Sequence, residues 1–168
     1  MERPTLDSTL LHVTRLRLTQ DYPTQISSCL DLLDEQQVWW RPNEQSNAVG
    51  NLVLHLIGSN HFYLDHAIAG LSLNRERDRE FTDRASLSKA DLQARWGASV
   101  ASTTRVLASL EPSQMSEATD RTGKPTTIAQ ILLHVTHHNA AHMGQLVWVT
   151  KMLEAGSLND LWMQMRTK

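Results

Sequence analysis

Along this 168-residue chain the apolar positions recur at steps of three and four, the spacing of one face of an α-helix, and no stretch reads as a strand. Leu10, Val13, Leu16, Ile26, Leu30 and Leu33 predict a long helix from about Asp7 to Asp34. Pro23 lacks a backbone donor and crowds the preceding turn, so a kink is expected there, or two helices meeting near Asp21. Trp39-Trp40-Arg41-Pro42-Asn43 ends the region, because a residue before proline avoids the helical conformation and asparagine favours a turn. A second helix is expected after Asn47, with Val49, Val53, Leu56, Tyr63 and Ala67 as its apolar stripe and Gly70 as its stop after about Ala69.

The mixed-charge run from Asn74 to Phe81 predicts a solvated connection. A third helix opens at Ser88, where Ser88 and Asp91 have capping-box spacing, and continues through Leu92, Trp96, Val100, Thr103, Leu107 and Leu110 until Pro112. Glu111 to Pro125 reads as a loop. A second capping box, Thr127 with Gln130, begins the fourth helix, Ile128 to Met152, and Leu158 to Met165 suggests a short terminal helix. Four long amphipathic segments predict an all-α, four-helix bundle with a short C-terminal helix, in one domain over residues 1–168.

The fourth helix carries the candidate chemistry, with His134, His137, His138 and His142 drawn from a chain that has eight histidines. His134, His138 and His142 are spaced by four, so each neighbouring pair can chelate one ion. All three cannot, since His134 and His142 lie about 12 Å apart along the axis. At about 100° per residue Ile131, Val135, Leu146, Val149 and Leu153 form one stripe, and His138 and His142 fall within it. His134 lies at its edge, placed to orient a ligand rather than to be one, and His137 falls outside. The two readings of His138 and His142 are core histidines bonded to neighbours and metal ligands. On the second helix His55 lies off the main stripe, in line with Ser59, Phe62 and His66, and that line reads equally as a solvated face or a metal-facing one.

A formal charge of −2 gives no general attraction to nucleic acid or to an anionic membrane. No apolar run approaches the roughly 20 residues needed to span a bilayer, and the N-terminus lacks a signal pattern, so a cytoplasmic location is expected. The single cysteine, Cys29, sits among Ile26, Leu30 and Leu33 and reads as a small core residue rather than a nucleophile. Trp39 and Trp40 have two readings, a lid on the end of the bundle or a wall of a substrate pocket. No Ser-His-Asp or Cys-His arrangement and no phosphate-cradling glycine loop competes with the histidines.

Asn47-Ala-Val-Gly-Asn-Leu-Val-Leu-His55-Leu, Arg77-Asp-Arg-Glu-Phe81 and His134-x-x-x-His138-x-x-x-His142-Met-Gly-Gln145 together resemble the DinB/YfiT-like superfamily of metal-binding four-helix bundles. The resemblance covers most of the chain. Met143 stands where many relatives carry an arginine, and the Arg77 to Phe81 element points to a less characterised subgroup. The resemblance implies a divalent-metal site made by His55, His138 and His142, with zinc, nickel or iron as the ion. His55 enters the set through the resemblance. Three neutral imidazoles leave coordination positions open, as in catalytic sites, for water or a thiol. The activity implied is that of a thiol S-transferase or a hydrolase, with a low-molecular-weight thiol as co-substrate and a small-molecule substrate. The alternative is a non-catalytic, metal-binding stress-response bundle acting as a dimer. An enzyme would bring some of Trp39, Trp40, Asn51, His134 and Gln145 to the metal. A homodimer is expected from Trp148, Met152, Trp162, Met163 and Met165, residue types common at interfaces, and from the dimers frequent among relatives.

Overall fold

The computed structural model describes residues 3–155 together with Leu158. Four long helical arms dominate it. The first is built of α1 (Leu6–Leu16), a π-helical segment (Arg17–Asp21) and α2 (Tyr22–Leu32). The expected disturbance at Pro23 is therefore a widened turn and not a break. Pro23 falls within the first two positions of α2, where its missing N–H costs least, and the wider π turn precedes it. After α3 (Glu35–Val38) comes the second arm, α4 (Val49–Asn60) extended by a π-helical segment (His61–Ile68). It stops where predicted, at Gly70, whose φ of +72° lies in the left-handed region that favours glycine.

The third and fourth arms are α6 (Lys89–Ser109) and α7 (Ile128–Leu153). The side chain of Ser88 accepts from Asp91 N as expected, but the Asp91 carboxylate takes the Ser88 hydroxyl rather than its backbone N–H, so only half of the capping box forms. Thr127 and Gln130 form theirs fully. Two expectations change. The charged stretch is no solvated loop, because α5 (Arg77–Thr82) forms there and packs on α4. The 111–125 connection contains a 3-10 turn (Pro112–Gln114), and its strand β1 (Ala118–Thr119) pairs antiparallel with β2 (Thr126–Thr127). The predicted helix from Leu158 to Met165 lies outside the described residues apart from Leu158, which is buried. Among the described residues no helix is long and apolar enough to cross a membrane.

Two large apolar clusters and a small third one, of Cys29, Val147 and Leu158, fill the bundle among the described residues. One large cluster gathers Leu11, Leu18, Leu64, Leu107, Ile131 and Val135; the other gathers Ile26, Leu30, Val53, Leu56, Trp96 and Leu146. Each long arm contributes to both. Where α4 and α7 pass from one cluster to the other they present polar residues, namely His55, Ser59 and Asn60 facing His138, Asn139 and His142. Buried polar groups need partners, and Asn139 Nδ2 donates to Asn60 Oδ1 at 2.9 Å and to Val135 O at 2.9 Å. Cys29 is fully buried in the small third cluster with Val147 and Leu158, and burial pushes its thiol up, as expected of an inert core residue.

Candidate metal centre

His55, His138 and His142 converge, with one ligand atom from each lying within 4.8 Å of the others. Helical spacing explains the α7 pair: residues four apart stack on one face, and their rings meet edge to face at a centroid separation of 4.5 Å. α4 runs against this face and adds His55, whose ring centre is 4.9 Å from each of theirs. The two halves of the ligand set thus come from facing arms of the bundle, the usual way such folds build metal sites.

The remaining hydrogen bonds orient the rings. His55 Nδ1 donates to Glu80 Oε2 at 2.9 Å, His142 Nδ1 donates to Gln145 Oε1 at 2.7 Å, and Ser59 Oγ lies 3.4 Å from His138 Nδ1. Each outer nitrogen is occupied, which leaves Nε2 of His55 and of His142 as free acceptors toward the common centre. Nε2 of His55 and Nε2 of His138 stand 3.0 Å apart. Two ring nitrogens at that distance need a proton or a cation between them. Two ligands about 2.1 Å from one ion and at right angles would be separated by about this much, so the donor set fits a divalent metal in both chemistry and spacing.

Burial, then the neighbouring rings of His142, His55 and His134, push the His138 imidazole down to about 3. Burial also lowers His142, against a smaller opposing effect of its Gln145 hydrogen bond. Neutral imidazoles are the form a metal takes. His134 is exposed, its ring packed on Tyr63 at 4.5 Å and stacked on His138 at 5.7 Å. His137 is exposed and outside the cluster.

Asn51 does not face the histidines. Its Nδ2 donates to Glu80 O at 3.0 Å and Asp83 O at 3.1 Å, while its Oδ1 accepts from Ala48 N and Arg41 Nη2, so it ties α5 to α4. Trp39 lies against Gly50, where an added Cβ would come within 2.8 Å of the indole, and its Nε1 donates to Leu87 O. Trp40 is 36% exposed. Neither indole lines the cleft of about 270 Å³ that opens beside α7, whose walls include Gln45, Ser46, Asn47, Leu52, Gln145 and Trp148.

Glu80 is the residue that sequence reasoning missed. It is buried, donates nothing, and accepts from both His55 and Arg75. Burial alone would push its carboxyl up, but the bonds from Arg75 and His55 outweigh that and hold it below the usual carboxylate value. Its neighbours Arg77, Asp78 and Arg79 are exposed and made the whole run look solvated. The available signal was Phe81, an aromatic that packs on the His55 ring at 4.7 Å.

The sequence profile of a family described as protein of unknown function (DUF1572) matches residues 7–165. The chain belongs to this family. No curated protein shows a significant match. For this DUF1572 member the fold is DinB-like. A DinB-like protein from Bacillus subtilis (YjoA) superposes with a TM-score of 0.65 at 19% identity, over 86% of this chain and 94% of that one. A DinB-like protein from Bacillus cereus ATCC 10987 gives a TM-score of 0.63 at 14% identity, over 79% and 85%. At such identities the likeness concerns the fold, and the case for a DUF1572 metal centre rests on the three convergent histidines themselves.

Proposed function

We propose that this protein is a metal-dependent enzyme of the thiol S-transferase or hydrolase type, acting in the cytoplasm on a small molecule. The observation that carries the reading is the inward convergence of three imidazoles whose outer nitrogens meet Glu80, Ser59 and Gln145. His55, His138 and His142 would hold the ion, zinc, nickel or iron. Held by three protein ligands, the ion would keep positions open, and there it would supply Lewis acidity to make water or a low-molecular-weight thiol a competent nucleophile near neutral pH.

Support for catalysis over simple metal storage comes from the cleft beside α7. Gln145 belongs to both, since it lines the cleft and accepts the His142 hydrogen bond. The lining holds two glutamine side chains, an asparagine and a serine, together with apolar surface from Leu52 and Trp148, and no charged side chain. This suits a neutral, partly apolar electrophile whose carbonyl or ether oxygens the amides can bond. Trp39 and Trp40 remain outside this reading of the substrate site.

The test is metal analysis of protein purified without an affinity tag, followed by assay of thiol consumption and hydrolysis on a panel of neutral electrophiles. Turnover that disappears in His138→Ala supports the proposal. A metal-loaded protein inactive across the panel with both nucleophiles would favour the alternative, a non-catalytic metal-binding bundle. That alternative draws on an observation of its own. Trp148 and Met152, 61% and 50% exposed, stand one turn apart on α7, a surface suited to pairing two copies of the chain.

A further inference from the structure

We propose that Glu80 is a positioning residue for the candidate metal centre, fixing the tautomer of His55 through a polarity that Arg75 imposes. The inference rests on the three-histidine reading of the site. It assigns a role to the charged element that the sequence marked as distinctive and the ligand set leaves unused.

Arg75, Glu80 and His55 form a chain of donors and acceptors. Arg75 Nε donates to Glu80 Oε1 at 2.6 Å and Arg75 Nη2 to Glu80 Oε2 at 2.8 Å. A guanidinium has only donors, so both carboxylate oxygens must accept. Oε2 also meets His55 Nδ1 at 2.9 Å, and an oxygen that can only accept requires a proton on that nitrogen. A neutral imidazole protonated on Nδ1 carries its lone pair on Nε2, which is the atom turned toward His138. The side chains are 13%, 8% and 8% exposed for Arg75, Glu80 and His55, so water is largely excluded as a substitute partner.

The backbone is shaped to keep this carboxylate in place. A Cβ on Gly58 would collide with Glu80 Oε1 and come within 2.9 Å of Arg75 Nε, so the absence of a side chain one turn from His55 makes the space that Glu80 fills. From the other side Asn51 holds the Glu80 carbonyl and, through Asp83, the end of α5. Phe81 covers the His55 ring. Every contact brings the Glu80 head group to His55 Nδ1 and none brings it to the common centre, which makes Glu80 an orienting group and not a fourth ligand.

The substitution Glu80→Gln exposes the polarity. Arg75 would claim the single amide oxygen, and the amide NH2 would then face His55 Nδ1 and demand a lone pair there. The ring proton would move to Nε2, the ligand atom. Two readouts follow. In metal-free wild type, long-range 1H–15N spectra of 15N-histidine protein, assigned with His55→Gln, should show His55 protonated on Nδ1. In E80Q the same ring should be protonated on Nε2, and the affinity for Zn2+, measured by competition with a chromophoric chelator, should fall about 10- to 100-fold. Gly58→Ala, which keeps the charge but displaces it, should weaken Zn2+ binding in the same direction.

A wild-type His55 protonated on Nε2 would overturn the inference, as would E80Q with the wild-type tautomer and Zn2+ affinity. Should E80Q fail to give the wild-type helical circular dichroism, the wild-type tautomer and G58A decide. Absence of Zn2+ binding by wild type at micromolar concentration would sink the proposed function separately, while the tautomer of metal-free His55 would still judge Glu80.

Discussion

His138 sits at the middle of the candidate site, half-buried, with its imidazole held down to about 3 by burial and by the rings around it. The unfolded chain has no such surroundings, so its histidine titrates near 6.5 and takes up protons that the fold refuses. Stability contributed in this way is complete above 6.5 and is lost as the pH falls from there toward 3; His142 and His134, also lowered by burial, act in the same direction. Glu80, held below 4.5, adds to the loss at the acidic end. The melting temperature of chelator-treated protein should therefore be level above about pH 7 and decline between 6.5 and 4. A melting temperature that rose over that interval would contradict these surroundings. His138→Ala should abolish metal binding, read by plasma mass spectrometry, while leaving the helical circular dichroism intact, because the apolar clusters do not include it. That His138 and His142 share the inward face of α7 was legible from their angle on the helix. The inward turn of His55 was not, because its line of neighbours, Ser59, Phe62 and His66, reads equally as a solvated or an inward face; only the facing helix shows the ring turned toward His138.

At the scale of elements, the long arms follow directly from apolar spacing, caps and stops. Gly70 is the clearest case, and Gly70→Ala should destabilise the protein by about 1–2 kcal/mol in chemical denaturation, since a Cβ is unfavourable at positive φ. No change, or a gain, would mean the second arm ends by other means. The longest element that escaped sequence reading was α5. Only one of its charges is buried, and its helix of six residues is too short for periodicity to reveal. What holds it is tertiary, the side chain of Asn51 bonding the carbonyls of Glu80 and Asp83 across 29 and 32 positions of sequence. Local pattern carries no trace of such a bond. The half-formed cap at Ser88 has the same lesson in miniature, as aspartate has the spacing of a capping-box partner but its shorter side chain bonds the hydroxyl instead of the backbone.

For the whole molecule, the proposed pairing of copies across Trp148 and Met152 gives a direct expectation: light scattering at micromolar concentration should report twice the 19.0 kDa chain mass. A 19.0 kDa particle would return those side chains to the status of scattered surface apolars. The bundle's apolar interior is also divided between two large clusters, and in each of the first two arms a π-helical segment lies in the part serving the cluster of Leu18 and Leu64. A π turn holds about one residue more than an α turn. It therefore acts as a phase shifter, letting one continuous helix aim Val53 and Leu56 at one target and Leu64 and Ala67 at another that the α period alone would miss. Removing a single residue from the His61–Ile68 segment would restore the ordinary period. The lost residue and the tightened turn would cancel, so Ala67, downstream, would keep its bearing on its cluster, as His55, upstream of the shift, would keep its bearing on His138.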